Sequence, residues 1–369
     1  MPPPDLSDRV KTLVSACGKG KRVLVLTHDN PDPDSLASAW ALAQLLEARA
    51  EATCTIAFGG VLGRAENRTM VRLLRIPVVP FARVNLADFD VVGLVDTQPG
   101  HGNHALAQVP LDDKLVVCID HHPRREAGTI AFADIGGDFG ATSTMLSCYL
   151  EAAGIDLDAA LATALFYGIK SDTRDLGREV GAVDVWAYTH LIKHTNMSWV
   201  SEIEHPRLPR GYYAVLSRAV KRARCYDDVV VCDLGPVYVP DLVAETADWL
   251  LYGEGIRWSF VVGEHEDQVY VSIRVADRRY SAGKLIRSVV EKLPGGSAGG
   301  HGSMAGARIP LPTGGPASAR TRVRRQVLRL LLRAGGVPPR ARPRPFTDEP
   351  TVDEDSGART RADDRRRAA

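Results

Sequence analysis

The segment RVLVLTHDNPDPDSLASAWALAQLLEARA, residues 22–50, combines an apolar run, a polar loop and a helical pattern at the start of the first half of the chain. Residues 22–27 form a short apolar run, which predicts a buried strand. Residues 35–48 are rich in Ala and Leu, which predicts a helix. The polar segment between them follows the carboxyl end of the strand, where ligands bind in open α/β sheets.

Three further apolar runs predict strands of the same sheet, at residues 53–57, 91–95 and 115–119. Helical patterns follow at residues 140–153 and 157–170. Continuous apolar strands that alternate with helices are typical of a parallel sheet covered on both faces. The first half of the chain is therefore predicted to be a parallel α/β domain.

The second half follows a different pattern. Strands are predicted at residues 229–233, 258–264 and 268–275, the last two as a hairpin, with helices at 281–293 and 318–333. The expected organisation is an N-terminal domain at 1–190, a helical linker at 191–225 and a smaller mixed α/β domain at 226–334. A cleft is expected between the two domains. Residues 335–369 are rich in Pro, Arg, Asp and Glu, so a disordered tail is expected there.

Composition and charge exclude several classes of protein. The 369 residues are 45% hydrophobic and 25% charged, with a formal net charge of +1, which excludes a global basic field for long nucleic acid. No apolar run approaches the ~20 residues that span a bilayer. The N-terminal segment has no apolar signal core, and the six cysteines form no CxxC pair. A cytoplasmic protein with free thiols and no membrane partner is expected.

The segment HDNPDPDS, residues 28–35, is the strongest local signal for chemistry. His28, Asp32 and Asp34 supply one imidazole and two carboxylates within seven residues. An oxygen-rich mixed set of this kind suits Mn²⁺ or Mg²⁺. The alternative is a polar turn in which Asp34 or Ser35 caps the helix.

Three more segments place acidic or imidazole side chains at comparable positions. Asp96 and the DHH triplet of residues 120–122 follow predicted strands, and Asp172 follows a predicted helix. Each one alone is better explained as a turn or a cap. Because strand ends of a parallel sheet converge on one crevice, these groups can share a site. Carboxylates crowded there need cations to neutralise them, and two divalent ions would do so.

The order and spacing of HDNPDPDS, VDT, DHH and SDT resemble the N-terminal motifs of DHH superfamily phosphoesterases. The segment GGHGSMAG, residues 299–306, resembles the GGHxxAAG signature of the DHH-associated C-terminal domain. In size the chain is similar to the group that contains nanoRNases (oligoribonucleases), 3′-phosphoadenosine 5′-phosphate phosphatases and cyclic-dinucleotide phosphodiesterases.

This resemblance implies a role for each residue of the first four motifs. Two Mn²⁺ ions are implied as cofactors, with Mg²⁺ or Co²⁺ as alternatives. The implied ligands are His28 and Asp32 for one ion, Asp34, His121 and Asp172 for the other, and Asp96 as a bridge. The resemblance also implies that Asp120 orients His121 by accepting its second ring proton, and that His122 contacts the substrate phosphate or supports the site.

In the second domain the resemblance implies phosphate binding by Gly299, Gly300 and His301, and by Arg274 on a strand that faces the cleft. A flexible glycine turn and a solvent-facing arginine are the alternatives. Ser281 and Lys284 are weaker candidates, since a helix cap and a solvated lysine explain them. Met304 stands where the family carries Ala, and this bulkier side chain is expected to narrow or reshape the base-side pocket, which affects the identity of the substrate rather than activity.

The predicted function is hydrolysis of short nucleotides by a two-metal phosphoesterase. The predicted partners are short oligonucleotides or small nucleotides, and the resemblance implies a homodimer. One alternative is a hydrolase of polyphosphate or pyrophosphate. The other is a non-catalytic sensor that binds a nucleotide in a metal-dependent way.

Overall fold

The structure, a computed structural model, describes residues 6–107, 109, 114–124, 130–277, 279–312 and 316–347. The chain divides into two compact units, Met1–Pro209 and Arg210–Ala369. The predicted linker at 191–225 is divided between them, because residues 191–209 belong to the first unit and residues 210–225 to the second.

The first unit is built on a six-stranded sheet whose order is β3-β2-β1-β4-β5-β6. All of its neighbouring strands are parallel, which confirms the predicted sheet. The short edge strands β3 and β6 were not predicted. The strands are β1 (Arg22–Leu26), β2 (Thr53–Phe58), β3 (Val78–Pro80), β4 (Val91–Val95), β5 (Leu115–Asp120) and β6 (Phe132–Ile135).

Helices cover one face of this sheet. They are α1 (Ser7–Cys17), α2 (Pro33–Ala50), α3 (Ala65–Leu74), α4 (Thr142–Ala152), α5 (Ala159–Thr173), α6 (Ala182–Leu191) and α7 (Met197–Glu204). The central helix α2 packs against α4 and α5, and Leu42, Leu45 and Phe166 are buried in this layer. The other face, with Leu24 and Leu94, is covered by connecting segments, which include short 3-10 helices at Phe81–Arg83 and Leu86–Asp88. Both faces are covered, as predicted.

The second unit is built on a mixed seven-stranded sheet whose order is β11-β12-β10-β9-β8-β7-β13. Only β8 and β9 are parallel among its described pairs. The strands are β7 (Arg224–Tyr226), β8 (Val229–Pro236), β9 (Trp258–His265), β10 (Gln268–Val275), β11 (Ser297–His301), β12 (Met304–Pro310) and β13 (Arg344–Pro345). The predicted hairpin of β9 and β10 is confirmed.

Helices cover both faces of the second sheet. They are α8 (Arg210–Arg222), α9 (Asp241–Leu250), α10 (Ala282–Val290) and α11 (Ala317–Ala334). On one face Phe260 and Ile273 pack with Ile286 of α10 and Leu331 of α11. On the other face Val261 packs with residues of α8 and α9, such as Leu242.

Two segments differ from expectation. The glycine-rich stretch at 297–306 is a hairpin of β11 and β12 rather than a loop. The chain is also folded beyond residue 335, where disorder was expected. Arg344–Pro345 pairs with β7, and the ring of Phe346 packs near Trp249 with centroids 6.2 Å apart. Phe346 is an apolar anchor within a polar stretch. The rest of the predicted tail, residues 348–369, lies outside the described residues.

Across the described part of the chain, no helix combines the length and the apolar character that a membrane crossing requires.

Candidate metal centre

The loop after β1 is held in place by hydrogen bonds from the segment after β2. Asn30 has a left-handed backbone (φ 56°), and its Oδ1 accepts a hydrogen bond from Val61 N at 3.0 Å. Asn67 Nδ2 donates to Pro31 O at 2.8 Å. Asp32 is the N-cap of α2, since its Oδ1 accepts from Ser35 N at 2.9 Å. The cap is therefore Asp32, not Asp34 or Ser35, and Asp32 is a capping residue as well as a candidate ligand.

Asp34 lies at the start of α2 and is fully buried. Its carboxylate accepts hydrogen bonds from the backbone of α4, from Thr142 N at 2.8 Å and from Ser143 N at 2.7 Å. These two N–H groups belong to the first turn of α4, where the helix dipole stabilises negative charge. They fix the orientation of the Asp34 carboxylate.

Asp96 lies at the centre of the cluster. It directly follows β4, is 3% exposed and has a left-handed backbone (φ 56°). Its Oδ2 is 3.5 Å from His28 Nε2, and its Oδ1 is 3.7 Å from His121 Nε2. Thr142 Oγ1 donates to Oδ1 at 2.9 Å. One carboxylate thus faces imidazoles from two different loops.

His121 presents its Nε2 atom to the cluster. The Nδ1 atom is 3.2 Å from Phe139 O, and this contact favours the tautomer with the proton on Nδ1. Nε2 is buried without a hydrogen-bond partner and lies 3.3 Å from Asp172 Oδ2. A buried, unpartnered ring nitrogen beside carboxylates is the arrangement of a metal-binding histidine.

The role that the resemblance implies for Asp120 needs correction. Asp120 contacts His122 and not His121, because its Oδ1 lies 2.8 Å from His122 Nδ1 and accepts from His122 N at 3.1 Å. Its Oδ2 accepts from Gln98 Nε2 at 2.8 Å. The proton of His121 Nδ1 is directed instead to the carbonyl of Phe139. Asp120 therefore positions His122.

Three sets of side chains have ligand atoms within 4.8 Å of one another: His28, Asp32 and Asp96; Asp34, His121 and Asp172; and Asp96, His121 and His122. The first two sets contain the six predicted metal ligands. Their mixed carboxylate and imidazole donors fit Mn²⁺, Mg²⁺ or Co²⁺. The donor chemistry and the unpartnered His121 Nε2 together fit divalent cations.

The crowded carboxylates raise one another's pKa, and the neighbouring histidines offset this effect to different extents. Burial, followed by the charges of Asp96 and Asp172, raises the pKa of Asp34 well above its usual range. Burial and the charge of Asp32 raise the pKa of Asp172 to about 7. The pKa of Asp32 is lowered, because the hydrogen bond and charge of His28 outweigh burial. Mutual repulsion of this kind is relieved when cations bind.

We expect Mn²⁺ to raise the melting temperature more at pH 8 than at pH 5.5. Because the folded-state pKa of Asp172 is raised to about 7, metal-free stability declines as pH rises from the ordinary carboxyl pKa to that value. At pH 5.5 a cation must also displace the proton. Thermal melts with Mn²⁺ or EDTA at both pH values measure the two gains, and Asp172→Asn is the control. Equal gains in the wild-type protein would contradict the assignment.

The pKa of His122 favours the positively charged form of its ring in the metal-free protein. Burial lowers its pKa, but the hydrogen bond to Asp120 and the charge of Asp96 raise it to about 9. His122 is therefore an imidazolium at neutral pH. The ring of His101 meets it edge-on with centroids 5.7 Å apart, and His101 Nδ1 is 3.9 Å from Asp120 Oδ2.

Sequence reasoning missed several residues that support the site. Gln98 and His101 follow Asp96 by two and five positions, so their proximity to a motif was the available signal. Thr142 at the start of α4 carried no recognisable signal. Arg178 Nη2 donates to Asp172 O at 2.6 Å and lies 3.8 Å from Asp172 Oδ1.

In the second unit Arg274 and His301 share one row of the sheet, since both pair in register with Met304. The Arg274 guanidinium is buried and binds Asp248 at 2.5 and 3.3 Å and Ser272 Oγ at 2.7 Å. It is therefore not a solvent-facing arginine, and in this structure its donors serve an internal ion pair. The side chain of His301, which carries the predicted phosphate contact, lies outside the described atoms.

The two glycines of β11 differ in what they require. Gly300 has φ 123°, and a Cβ there would lie 2.5 Å from Ala305 Cα. Among the described residues, a Cβ at Gly299 would meet no atom within 4 Å. Gly300 is thus required by the hairpin, whereas Gly299 leaves open space above the strand.

We expect Gly299→Ala to leave stability unchanged but to raise KM at least about tenfold, the effect of losing about 1.4 kcal/mol of binding. Gly300→Ala is the matched variant, and we expect it to lower the melting temperature because no Cβ fits there. Thermal melts and steady-state kinetics with a dinucleotide measure both effects. An unchanged KM in Gly299→Ala would remove Gly299 from the substrate site.

Comparisons with known proteins identify the family of the chain. Residues 22–169 match the model of the DHH family, N-terminal domain, and residues 227–327 match the DHHA1 domain. The chain belongs to the DHH family. This DHH protein is 35% identical over 291 residues to an uncharacterized protein of Methanocaldococcus jannaschii. The match covers 78% of the chain and 58% of that relative, so the chain spans little more than half of the relative's length.

Solved structures share the fold of this DHH protein at low sequence identity. An exopolyphosphatase-related protein from Bacteroides fragilis superposes with a TM-score of 0.69 at 12% identity, covering 89% of this chain and 97% of that one. The exonuclease RecJ bound to manganese superposes with a TM-score of 0.50 at 16% identity, covering 92% and 96%. At these identities the likeness shows the fold alone.

Proposed function

We propose that this DHH protein is a two-metal phosphoesterase that hydrolyses short nucleotides. The observation that carries the proposal is Asp96, whose two oxygens face His28 at 3.5 Å and His121 at 3.7 Å. A buried carboxylate between two sets of ligands is suited to bridge two cations. The membership of the DHH family, whose resemblance implied the same ligands, supports the proposal.

In this proposal the cations are Mn²⁺, with His28 and Asp32 as ligands of one, and Asp34, His121 and Asp172 as ligands of the other. When bound, such cations neutralise phosphate charge and lower the pKa of a coordinated water molecule. Hydrogen bonds within the protein fix the orientation of the ligand side chains. The first turn of α4 orients Asp34, and the Phe139 carbonyl orients the ring of His121.

We assign proton donation to His122. Asp120 holds the ring through Nδ1 at 2.8 Å, and in the metal-free protein this hydrogen bond and the charge of Asp96 outweigh burial and raise the pKa of His122 to about 9. An imidazolium beside the reacting phosphate can stabilise developing charge and donate a proton to the leaving oxygen through Nε2–H. Gly299, Gly300 and His301 are proposed to contribute phosphate contacts from the second unit, and Arg274 does so only if its pairing with Asp248 opens.

The proposed substrates are nanoRNA or linear dinucleotides, cyclic dinucleotides and 3′-phosphoadenosine 5′-phosphate. The open space above Gly299 supports close approach of a phosphate. A homodimer and a cytoplasmic location are part of the same proposal. A polyphosphatase and a nucleotide sensor without turnover are the alternatives.

One kinetic panel tests the proposal. Product release is measured with Mn²⁺ for a linear dinucleotide, cyclic di-AMP, cyclic di-GMP, 3′-phosphoadenosine 5′-phosphate and polyphosphate, and repeated with Mg²⁺ and Co²⁺. We expect metal-dependent turnover of at least one nucleotide. Turnover of polyphosphate alone would support the alternative hydrolase. Tight nucleotide binding without any turnover would support the sensor.

A further inference from the structure

Helix α11 is strongly basic. It contains six arginines and neither Asp nor Glu, although the whole chain carries a net charge of only +1. Two of these arginines are neutralised inside the unit. Arg324 binds Asp233 and Glu264, and Arg320 binds Glu264 and Asp267. The other four arginines of α11 are exposed to solvent.

Four exposed arginines lie on one side of α11: Arg322, Arg325, Arg329 and Arg333. We call this set the arginine face. At 3.6 residues per turn, the four fall within an arc of about 80° and extend over about 17 Å of the helix. Within the described part of the chain none of them makes an ion pair. Unneutralised charges on one line favour an extended anionic partner.

A basic groove adjoins the arginine face. It has a volume of about 530 Å³ and lies between α10 and α11. Lys284, Lys292 and Arg333 supply its charges, and Leu285, Ser288 and Leu330 are among its other lining residues. Glu291, which directly follows α10, lines a separate groove together with Arg287. The positive surface therefore continues from α11 to α10.

We propose that the arginine face and this groove bind the phosphodiester backbone of a single-stranded nucleic acid. Arginine is suited to bidentate contacts with phosphate oxygens, and such contacts do not depend on base sequence. Within the second unit the surface belongs to the helix layer that packs on Ile273 and Ala305, whereas Arg274 and Asp248 lie on the opposite face of the sheet. None of the four arginines of the arginine face is among the residues assigned to phosphate binding at the reaction site, and the surface would anchor strands longer than a dinucleotide.

Two other possible partners of the arginine face and its groove fit the structure less well than a nucleic acid. An anionic membrane would need an apolar face to insert, but Val327 and Leu331 of α11 are fully buried in the unit. The acidic segment DEPTVDED, residues 348–355, is the other candidate. It follows Phe346, which packs near Trp249 of α9 on the opposite face of the sheet from α11.

Fluorescence anisotropy with a labelled 24-nucleotide single-stranded RNA tests the proposal. The measurement uses the full chain in EDTA, so that the probe is not cleaved, between 50 and 200 mM KCl. The test variant carries R322Q, R325Q, R329Q and R333Q. The control variant carries R83Q, K193Q, R207Q and R210Q, which remove the same charge from other exposed positions.

We expect the wild-type protein and the control to bind the RNA with the same steep salt dependence. Each lost phosphate contact reduces the slope of log K against log salt by about 0.7 for a single strand, so the test variant should lose about 3. Its affinity at 100 mM KCl should fall at least about tenfold. Hydrolysis of a dinucleotide with Mn²⁺ should be equal in all three proteins, which separates this inference from the proposed function.

Three results would overturn the inference. The first is an unchanged slope in the test variant. The second is RNA binding that appears only after removal of residues 348–369, since the acidic segment would then occupy the arginine face. The third is tighter binding to vesicles of anionic lipid than to RNA.

Discussion

Replacing Asp96 by Asn is expected to lower dinucleotide turnover by more than about 10³-fold, which corresponds to about 4 kcal/mol of lost transition-state stabilisation. The reason is its position, because its two oxygens face His28 and His121 and therefore serve both ligand sets. An amide cannot bridge two cations as a carboxylate can. Steady-state kinetics with Mn²⁺, and calorimetric titration of Mn²⁺, measure the loss.

In EDTA the same substitution should change the melting temperature little. Repulsion from Asp96 raises the pKa of Asp34 and Asp172 in the metal-free protein, but the charge of Asp96 also raises the pKa of His28 and His122. These unfavourable and favourable interactions offset each other. Asn also tolerates the left-handed backbone at this position, where φ is 56°. Loss of activity without loss of stability is the pattern of a residue kept for function.

Asp184→Asn is the matched control for Asp96→Asn. Asp184 is also fully buried, but its carboxylate accepts hydrogen bonds from Gly140 N at 3.0 and 2.9 Å and from Gly181 N at 2.8 Å. Its replacement should therefore lower stability by about 1–3 kcal/mol, since an amide nitrogen would face these donors. If Asp96→Asn were destabilised in EDTA as Asp184→Asn is, Asp96 would be a structural residue and the bridging role would be rejected.

Replacing Asp120 by Asn is expected to lower turnover by about 10²-fold and to shift its pH profile. In the wild-type protein Asp120 raises the pKa of His122 to about 9, so the imidazolium persists across neutral pH. Without that carboxylate the pKa falls, and activity is lost at a lower pH on the basic side. Bound cations lower the His122 pKa in both proteins, so the measured quantity is the difference between their profiles.

The affinity for Mn²⁺ distinguishes the two roles considered for Asp120. Because Asp120 contacts His122 and the Phe139 carbonyl receives His121 Nδ1, we expect Asp120→Asn to bind Mn²⁺ as the wild-type protein does. Weaker Mn²⁺ binding with an unshifted pH profile would instead support the role that the resemblance implied for Asp120, which is to orient His121. His101→Asn is a useful comparison, since His101 approaches the same carboxylate more distantly, at 3.9 Å.

The sheet of the first unit and its ligand-bearing loops were predictable because their signals are local. The apolar run of β1 and the polar loop after it are adjacent in sequence, and the geometry of parallel sheets places the ends of β1, β4 and β5 at one edge. The partner of His121 was not predictable. It is a backbone carbonyl of residue 139, which carries no side-chain signal.

The second unit also has features that could not be predicted from local sequence alone. The glycines at 299 and 300 read as a loop by propensity, but pairing with Gly306 and Ala305 of β12 makes them a strand. Phe346 likewise orders a segment whose composition alone indicates disorder. The arginine face was hidden because the net charge of the chain averages it against acidic residues elsewhere.

The contacts of Asp34 determine when its ligand set becomes complete during translation of the chain. Its carboxylate docks on Thr142 and Ser143, more than a hundred positions later, and it shares a ligand set with Asp172. At 5–20 residues per second, the ribosome needs roughly 7 to 28 s to add the 172 − 34 = 138 residues between the first and last members of this set. The Asp34 carboxylate is therefore synthesised long before the rest of its ligand set, and this set can bind a cation only after residue 172 has been added.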